Sequence, residues 1–219
     1  MAARKFDLIA FDWDGTLIDS TSLIATSLQE AARDLGLAVP TREEASHVIG
    51  LGLMQAFAWL WPDLEPGRHP ALLERYRYHF LGRDKDVNLF PGVREMLAAL
   101  RAEGYLLTVA TGKARQGLIR ALEQAGLTGF FDATRCADET ASKPDPMMLL
   151  ELIEEFDVAP ERVLMVGDTT HDLQMARNAG TAAVAVSCGA HPLSELQREP
   201  YLAILDEVGA LPEWLACHA

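Results

Sequence analysis

From Leu89 onward the chain alternates short apolar runs with segments of helical periodicity, and this alternation restricts its fold more than any other feature. Apolar residues at 93, 96, 97 and 100 have helical spacing, and Gly104 then precedes the apolar run 105–110. The alternation continues with helices predicted near 115–124, 146–156 and 171–178 and with strands predicted at 163–166 and 182–186. The run 201–205 could add an edge strand. Such alternation is typical of an α/β fold, a Rossmann-like parallel sheet with helices on both faces.

The apolar run Leu8–Phe11 fits the same sheet by composition, but about ninety residues separate it from the next predicted strand, too many for an ordinary crossover. The residues between them carry helical patterns and hardly a strand signal, with capping-box spacing at Thr41 and Glu44. We therefore predict a discontinuous core formed by residues 1–16 and 87–219, and an inserted all-helical domain formed by residues 17–86.

Two aspartates one residue apart, Asp12 and Asp14, follow the first apolar run and precede a turn at Gly15. Carboxylates this close repel each other and resist desolvation, so a pair at the edge of a core is costly unless a cation neutralises it. The sequence therefore predicts a metal site at this strand end.

Polar residues also follow three later segments that the pattern places at strand ends. Thr111, Gly112 and Lys113 follow one apolar run, Lys143 stands before Pro144, and the last group is Asp168 with Asp172. Open α/β sheets bind ligands at the carboxyl ends of their strands. Carboxylates, a hydroxyl group and a lysine that converge there suit phosphoryl transfer, because a cation and hydrogen-bond donors can hold the phosphate oxygens.

The overall charge excludes several classes of partner. A formal net charge of −13, from 19 basic and 32 acidic residues, repels nucleic-acid backbones and anionic membranes, so neither is expected as a partner. No apolar stretch approaches the roughly 20 residues that a spanning helix needs. The sequence offers no signal-peptide apolar region, and its three widely spaced cysteines match no disulfide framework, which favours a cytoplasmic protein.

The order DxDGT, a strand ending in Thr111, an isolated Lys143 and GDxxxD resembles the haloacid dehalogenase (HAD) superfamily over essentially the whole chain. The insert is similar to the helical cap of the branch that contains phosphoglycolate phosphatases and β-phosphoglucomutases. The resemblance implies a Mg²⁺-dependent phosphatase that hydrolyses a small phosphorylated metabolite, a phosphoglycolate-like phosphomonoester, through an aspartyl-phosphate. We expect a monomer or a homodimer.

The same resemblance implies a role for each residue at the strand ends. Asp12 would be the nucleophile, while Asp14 would protonate the leaving oxygen and then activate water. Thr111 and the Gly112 backbone would bind the phosphoryl group, and Lys143 would pair with its oxygens. Mg²⁺ would be held by the carboxylates of Asp12 and Asp168 and by the backbone carbonyl of Asp14, and Asp172 would act on it through water.

Plainer interpretations stay open for several of these positions. Thr111 could cap the following helix, and Asp172 could be a favourable charge at a helix N-terminus or could orient Lys143. Lys113 is expected to be a solvated charge, and Ser20 is expected to begin the first helix of the insert. The glycines in 48–53 could let backbone N–H groups approach a small anion, or could form an ordinary interhelical turn.

Departures from the family pattern argue against some of the activities found in the family. Asp14 argues against a dehalogenase, and Ile24 stands where related mutases carry a histidine, which disfavours a β-phosphoglucomutase-like phosphomutase. A pyrophosphatase or nucleotide phosphatase of the same fold stays an alternative, as does a non-catalytic protein that binds a phosphorylated metabolite. Five basic residues of the insert could bind a substrate carboxylate, although solvation on helix surfaces is the stronger expectation for Arg42, His47, Arg68, Arg75 and His79.

Overall fold

The structure is a computed structural model that describes residues 4–218, apart from the side chain of Asp86. Its centre is a sheet of six parallel strands in the order β3-β2-β1-β4-β5-β6. The strands are β1 (Leu8–Phe11), β2 (Leu106–Thr111), β3 (Ala133–Cys136), β4 (Val163–Gly167), β5 (Ala182–Val186) and β6 (Ala203–Leu205). The predicted α/β fold is therefore confirmed.

Helices cover both faces of the sheet because successive residues of a strand point to opposite sides. In β1, Ile9 and Phe11 belong to one buried cluster, and Leu8 and Ala10 belong to another. The helices that carry these two layers are α5 (Val93–Ala102), α6 (Arg115–Gln124) and α10 (Leu211–His218) on the first side, and α7 (Met147–Phe156), α8 (Thr170–Ala179) and α9 (Leu193–Leu196) on the second.

Four helices lie between β1 and α5, and they have a buried cluster of their own. They are α1 (Thr21–Asp34), α2 (Arg42–His47), α3 (Leu53–Leu60) and α4 (His69–Leu81). Leu28 of α1, Phe57 of α3 and Leu72 of α4 meet in that cluster. The predicted capping box is present at the start of α2, where Thr41 and Glu44 exchange side-chain and backbone hydrogen bonds.

The two connections to this helical insert run side by side. The N–H of Asp19 donates to the carbonyl of Asn88, the N–H of Phe90 donates to the carbonyl of Leu17, and Ile18 pairs with Leu89. This pairing lets the chain leave the sheet after β1 and return at α5. The division into domains at residues 17 and 86 stays a prediction.

Most sequence-predicted elements agree with the structure, but β3 was missed. Its four residues, Ala-Thr-Arg-Cys, include two polar side chains, and only Cys136 among them is fully buried. A strand so short and so little buried carries neither an apolar run nor a clear alternation. The short helices α9 and α10 were missed as well. No helix in the described part of the chain has both the length and the apolar character needed to cross a membrane.

Candidate active site

The sheet order brings the sequence-predicted residues to one edge. Strand β1 lies between β2 and β4, and Phe11 aligns with Val109 on one side and with Val166 on the other. The polar residues that follow these positions therefore stand next to one another at the carboxyl ends of three neighbouring strands. The backbone N–H of Asp12 donates to the carbonyl of Val166 at 2.9 Å, which fixes Asp12 against β4.

A buried ammonium group links two of the predicted carboxylates. The Nζ of Lys143 lies 2.6 Å from Oδ1 of Asp12 and 2.6 Å from Oδ1 of Asp172, and all three side chains are at most 1% exposed. Burial alone would lower the pKa of Lys143, but the charges of Asp12 and Asp172 outweigh burial and raise that pKa above its usual range. Lys143 is therefore a cation, and the expectation that it pairs with Asp12 agrees with this geometry.

Asp168 is fully buried and held at both carboxylate oxygens. The hydroxyl of Thr16 donates to Oδ1 and the N–H of Ala190 donates to Oδ2, each at 2.7 Å. Burial and the charge of Asp172 raise the pKa of Asp168 to about 7, against the opposing effect of these hydrogen bonds. Sequence reasoning missed Thr16, although its place in the turn after Asp14 was a usable signal.

Gly15 is required for Asp168 to approach this turn. Its φ is +87°, and a Cβ there would lie 2.2 Å from Oδ2 of Asp168. Any other residue would therefore be strained and would collide with this carboxylate.

Asp172 both stands at a helix N-terminus and orients Lys143, as the two interpretations of this residue expect. Its Oδ2 accepts hydrogen bonds from the N–H and the hydroxyl of Thr169 and completes a capping box at the start of α8. Its Oδ1 lies against the ammonium of Lys143. The helix N-terminus thus fixes a carboxylate that in turn positions Lys143.

The acidic cluster suits a divalent cation. Asp12, Asp168 and Asp172 offer carboxylate oxygens that lie within 4.8 Å of one another. Oδ2 of Asp12 is buried with no hydrogen-bond partner among the described residues. Burial raises the pKa of Asp12 well above its usual range, Lys143 opposes that rise, and the charges of Asp172 and Asp168 add to it. Ionising these groups without a further cation is therefore costly.

The charge balance of the site and the type of its donor atoms also favour a divalent cation. When the carboxyl groups of Asp12, Asp14, Asp168 and Asp172 are all ionised, they face only two ammonium groups (Lys113 and Lys143), which leaves two negative charges uncompensated. All the carboxylates are hard oxygen donors, the ligands that Mg²⁺ prefers. These residues fit the predicted metal.

The loop after β2 differs from expectation in two respects. The Thr111 hydroxyl accepts from the N–H of Lys113 at 3.2 Å, whereas the residue that precedes α6 is Ala114, so the capping alternative for Thr111 is wrong. The expectation of a solvated Lys113 is also wrong. Its Nζ lies 2.9 Å from both carboxylate oxygens of Asp14, and its side chain is only 13% exposed.

Asp14 has a second partner in Ser20, which the sequence predicts only to begin the first helix of the insert. Ser20 does stand at the start of α1, but its hydroxyl donates to Oδ1 of Asp14 at 2.6 Å and does not cap the helix. Asp14 is therefore held by a hydroxyl from the insert connection and by an ammonium from the β2 loop. Lys113 and Ser20 are both site residues that the sequence alone did not identify.

Segment 47–52 of the insert forms hydrogen bonds with residues around the sheet. The N–H of Gly52 donates to Oγ of Ser142 at 2.7 Å, so this N–H is engaged by a side chain. The carbonyl of His47 accepts from Nε2 of His171 at 2.8 Å and of His191 at 3.0 Å. Burial lowers the pKa of His171 to about 4 and also lowers the pKa of His191, so both rings are neutral donors at neutral pH.

Four of the five basic residues considered in the insert make contacts within it. Arg42 donates to the carbonyl of Ser22, and Arg68 donates to the carbonyl of Leu35. Arg75 and His79 both contact the carboxylate of Asp34. These contacts hold the helices of the insert together, and His47 is the member of the set whose backbone reaches the sheet domain.

Comparisons with known proteins show the family of this chain. The family model of haloacid dehalogenase-like hydrolases matches residues 9–186. A probable phosphatase IndB from Dickeya dadantii is 38% identical over 206 residues, which cover 91% of this chain and 89% of that protein. A phosphoglycolate phosphatase from Agrobacterium fabrum is 33% identical over 218 residues, covering 96% and 93%. A pyrophosphatase PpaX from Bacillus mycoides is 32% identical over 185 residues, covering 84% of each chain.

Solved structures share the whole architecture. A predicted phosphoglycolate phosphatase from Haemophilus somnus superposes with a TM-score of 0.84 at 26% identity, over 96% of this chain and 98% of that one. A hydrolase from Pseudomonas syringae superposes with a TM-score of 0.90 at 21% identity, over 97% and 99%. The second likeness concerns the fold alone.

Proposed function

Because the chain belongs to the haloacid dehalogenase-like hydrolases and is a phosphatase, we propose that it is Mg²⁺-dependent and hydrolyses a small, phosphoglycolate-like phosphomonoester through an aspartyl-phosphate at Asp12. One observation carries the proposal. The buried carboxylate of Asp12 is paired with Lys143 through one oxygen, and its other oxygen has no hydrogen-bond partner in the described part of the chain. A carboxylate held in this way is oriented, and its second oxygen is free to attack phosphorus once a bound cation favours the ionised form.

The chain's own residues supply each step of the proposed reaction. An oxygen of Asp12 forms a bond to phosphorus as the ester P–O bond breaks, and Asp14, protonated in the substrate-bound state, gives that proton to the leaving oxygen. Asp14 then takes a proton from water, which attacks the phosphorus, releases inorganic phosphate and regenerates the Asp12 carboxylate. The Thr111 hydroxyl, the Gly112 N–H and the Lys143 ammonium hold the phosphoryl oxygens throughout.

The metal would be held by carboxylates of Asp12 and Asp168 and by the backbone carbonyl of Asp14, with Asp172 acting through water. When bound, Mg²⁺ reduces the repulsion between the Asp12 carboxylate and the phosphate and stabilises charge on the phosphoryl oxygens.

The helical insert, residues 17–86, is the proposed cap over a core formed by residues 1–16 and 87–219. Contacts of the kind made by Gly52 with Ser142 would close the site against bulk water and would break to admit substrate. A cytoplasmic location and a monomeric or homodimeric state stay predictions.

Turnover of p-nitrophenyl phosphate and a panel of phosphate esters, with and without EDTA, tests the proposal. We expect Mg²⁺-dependent release of phosphate by the wild type and none by Asp12→Asn. The relatives named pyrophosphatases favour including pyrophosphate as a second candidate substrate. A wild type as inactive as Asp12→Asn would instead favour a binding protein, and an isomerised hexose phosphate would favour a mutase.

A further inference from the structure

A small cavity lies on the Asp14 side of the site, between the end of α4 and helix α6. Its volume is about 40 Å³, and its walls include Asp14 and Lys113, the aromatic rings of Trp13 and Phe80, and the side chain of Arg120. In the proposed reaction Asp14 gives a proton to the leaving oxygen. A cavity that opens beside Asp14 therefore lies where the leaving part of the substrate would go.

Lys113 faces this cavity with unused hydrogen-bonding capacity. An ammonium group has three N–H donors, and the two contacts of 2.9 Å to Asp14 account for two of them. The Nζ also lies 5.0 Å from the centre of the Phe80 ring, which shields it from water on the cap side. A shielded cation attracts an anion more strongly than a solvated one does.

Arg120 adds a second cation at the mouth of the cavity. Its side chain is 47% exposed, and its guanidinium lies 4.0 Å from the carboxylate of Asp84. So long a contact leaves the guanidinium donors free to turn toward a ligand. Two cations thus line a cavity whose anionic groups, Asp14 and Asp84, each face one of them.

We propose that this cavity is the leaving-group subsite and that Lys113 is its specificity-determining residue, selecting phosphate esters or anhydrides whose leaving group carries a second negative charge. The inference rests on the proposed function and extends it to one residue. A charge-assisted hydrogen bond from Lys113 to the leaving group would occupy the third ammonium donor. A site that offers such a donor discriminates strongly against an analogue without the acceptor.

The cavity is small and opens to solvent at Arg120, so a compact leaving group would contact most of its walls. A carboxymethyl group is compact in this sense, whereas a hexose or a nucleoside would extend out of the cavity. The leaving phosphate of pyrophosphate is also anionic and is somewhat bulkier.

The test compares kcat/KM for 2-phosphoglycolate, pyrophosphate and ethyl phosphate, the last of which has a small neutral leaving group. We expect the wild type to prefer at least one anionic leaving group over ethyl phosphate by about tenfold or more. Lys113→Met should reduce that ratio by about tenfold, and Lys113→Arg, which keeps the charge, should retain more of the ratio than Lys113→Met. Lys85→Met is the matched control, because Lys85 is exposed and does not line the cavity, and it should keep the wild-type ratio.

The outcomes separate this inference from the proposed function. A preference for 2-phosphoglycolate or for pyrophosphate that Lys113→Met removes supports the inference and identifies the anion as a carboxylate or a phosphate. Equal wild-type turnover of ethyl phosphate overturns the inference without any variant, as does an unchanged ratio in folded Lys113→Met. Absence of metal-dependent turnover of all three substrates and of p-nitrophenyl phosphate would count against the proposed function instead.

Discussion

Lys143 donates a hydrogen bond of 2.6 Å to Asp12 although 131 positions separate the two residues, and both side chains are buried. The loop that carries Lys143 precedes α7, whereas Asp12 directly follows strand β1. A pair formed across so much chain exists only in the folded state. Its loss should therefore affect folding as well as turnover.

Lys143→Met tests both effects. Removing one partner of a buried ion pair leaves an uncompensated charge and typically costs about 3–5 kcal/mol. We expect urea denaturation in EDTA at about pH 8 to show a loss of that order, together with a loss of phosphatase activity of about 100-fold or more. Lys85→Met, at an exposed position, should lie within about 0.5 kcal/mol of the wild type. Wild-type stability in Lys143→Met would contradict the importance of the pair.

Asp12→Asn should separate activity from stability. Loss of the nucleophile should reduce turnover by about a thousandfold or more. The pKa of Asp12 is raised chiefly by burial, so the ionised form destabilises the metal-free fold at neutral pH. We therefore expect Asp12→Asn in EDTA to be at least as stable as the wild type by urea denaturation. Asp63→Asn, an exposed control, should keep its activity, and a strongly destabilised Asp12→Asn would show that the Lys143 contact outweighs burial.

The difference between what the sequence predicted and what it missed has a physical basis. Helix α6 was predicted with its observed bounds, because an apolar face and a following glycine are local signals. The partners of Asp14 were not predicted, because Ser20 and Lys113 approach it from separate connections, and only the packed fold brings them together. Local patterns specify elements and strand ends, whereas side-chain pairs across the site depend on tertiary packing.

Metal binding should depend on pH through the carboxylates. The pKa of Asp168 is raised from an ordinary value of 3.8 to about 7, so the metal-free fold binds more protons than the unfolded chain between these values. The contribution of Asp168 to the stability of the metal-free protein should therefore grow as the pH falls through 7 toward 4, while His171, whose pKa is lowered from 6.5 to about 4, opposes this gain. Mg²⁺ needs the ionised carboxylate, so its stabilising effect should weaken over the same range.

Thermal unfolding with excess Mg²⁺ and with EDTA checks this prediction. The rise in Tm caused by Mg²⁺ should be larger at about pH 8 than at about pH 6, because protons compete for Asp168 at the lower pH. Asp168→Asn should show little rise at either pH. An equal rise in the wild type at both pH values would mean that Asp168 does not limit metal binding.

Gly112 lies where segment 47–52 of the insert meets the loop after β2. A Cβ at this position would lie 2.5 Å from the carbonyl oxygens of both Gly50 and Leu51, and these are backbone atoms that cannot rotate away. The observed contact between the insert and the β2 loop therefore requires a glycine here. The three atoms nearest to this Cβ all belong to Gly50 and Leu51 of the insert, so a substitution should affect the contact of the insert more than the sheet.

Gly112→Ala should therefore hold the cap partly open. We expect kcat/KM to fall by about 10–100-fold, because a small displacement of positioning groups is costly in catalysis. Limited proteolysis of the insert should become faster, while the urea midpoint should move little, since the sheet packing is untouched. Gly67→Ala is the matched control, because a Cβ at Gly67 meets no described atom within 4 Å and the cap should close normally. If Gly112→Ala retained wild-type kcat/KM and protease resistance, closure against the Gly50 and Leu51 carbonyls would not be part of the catalytic cycle.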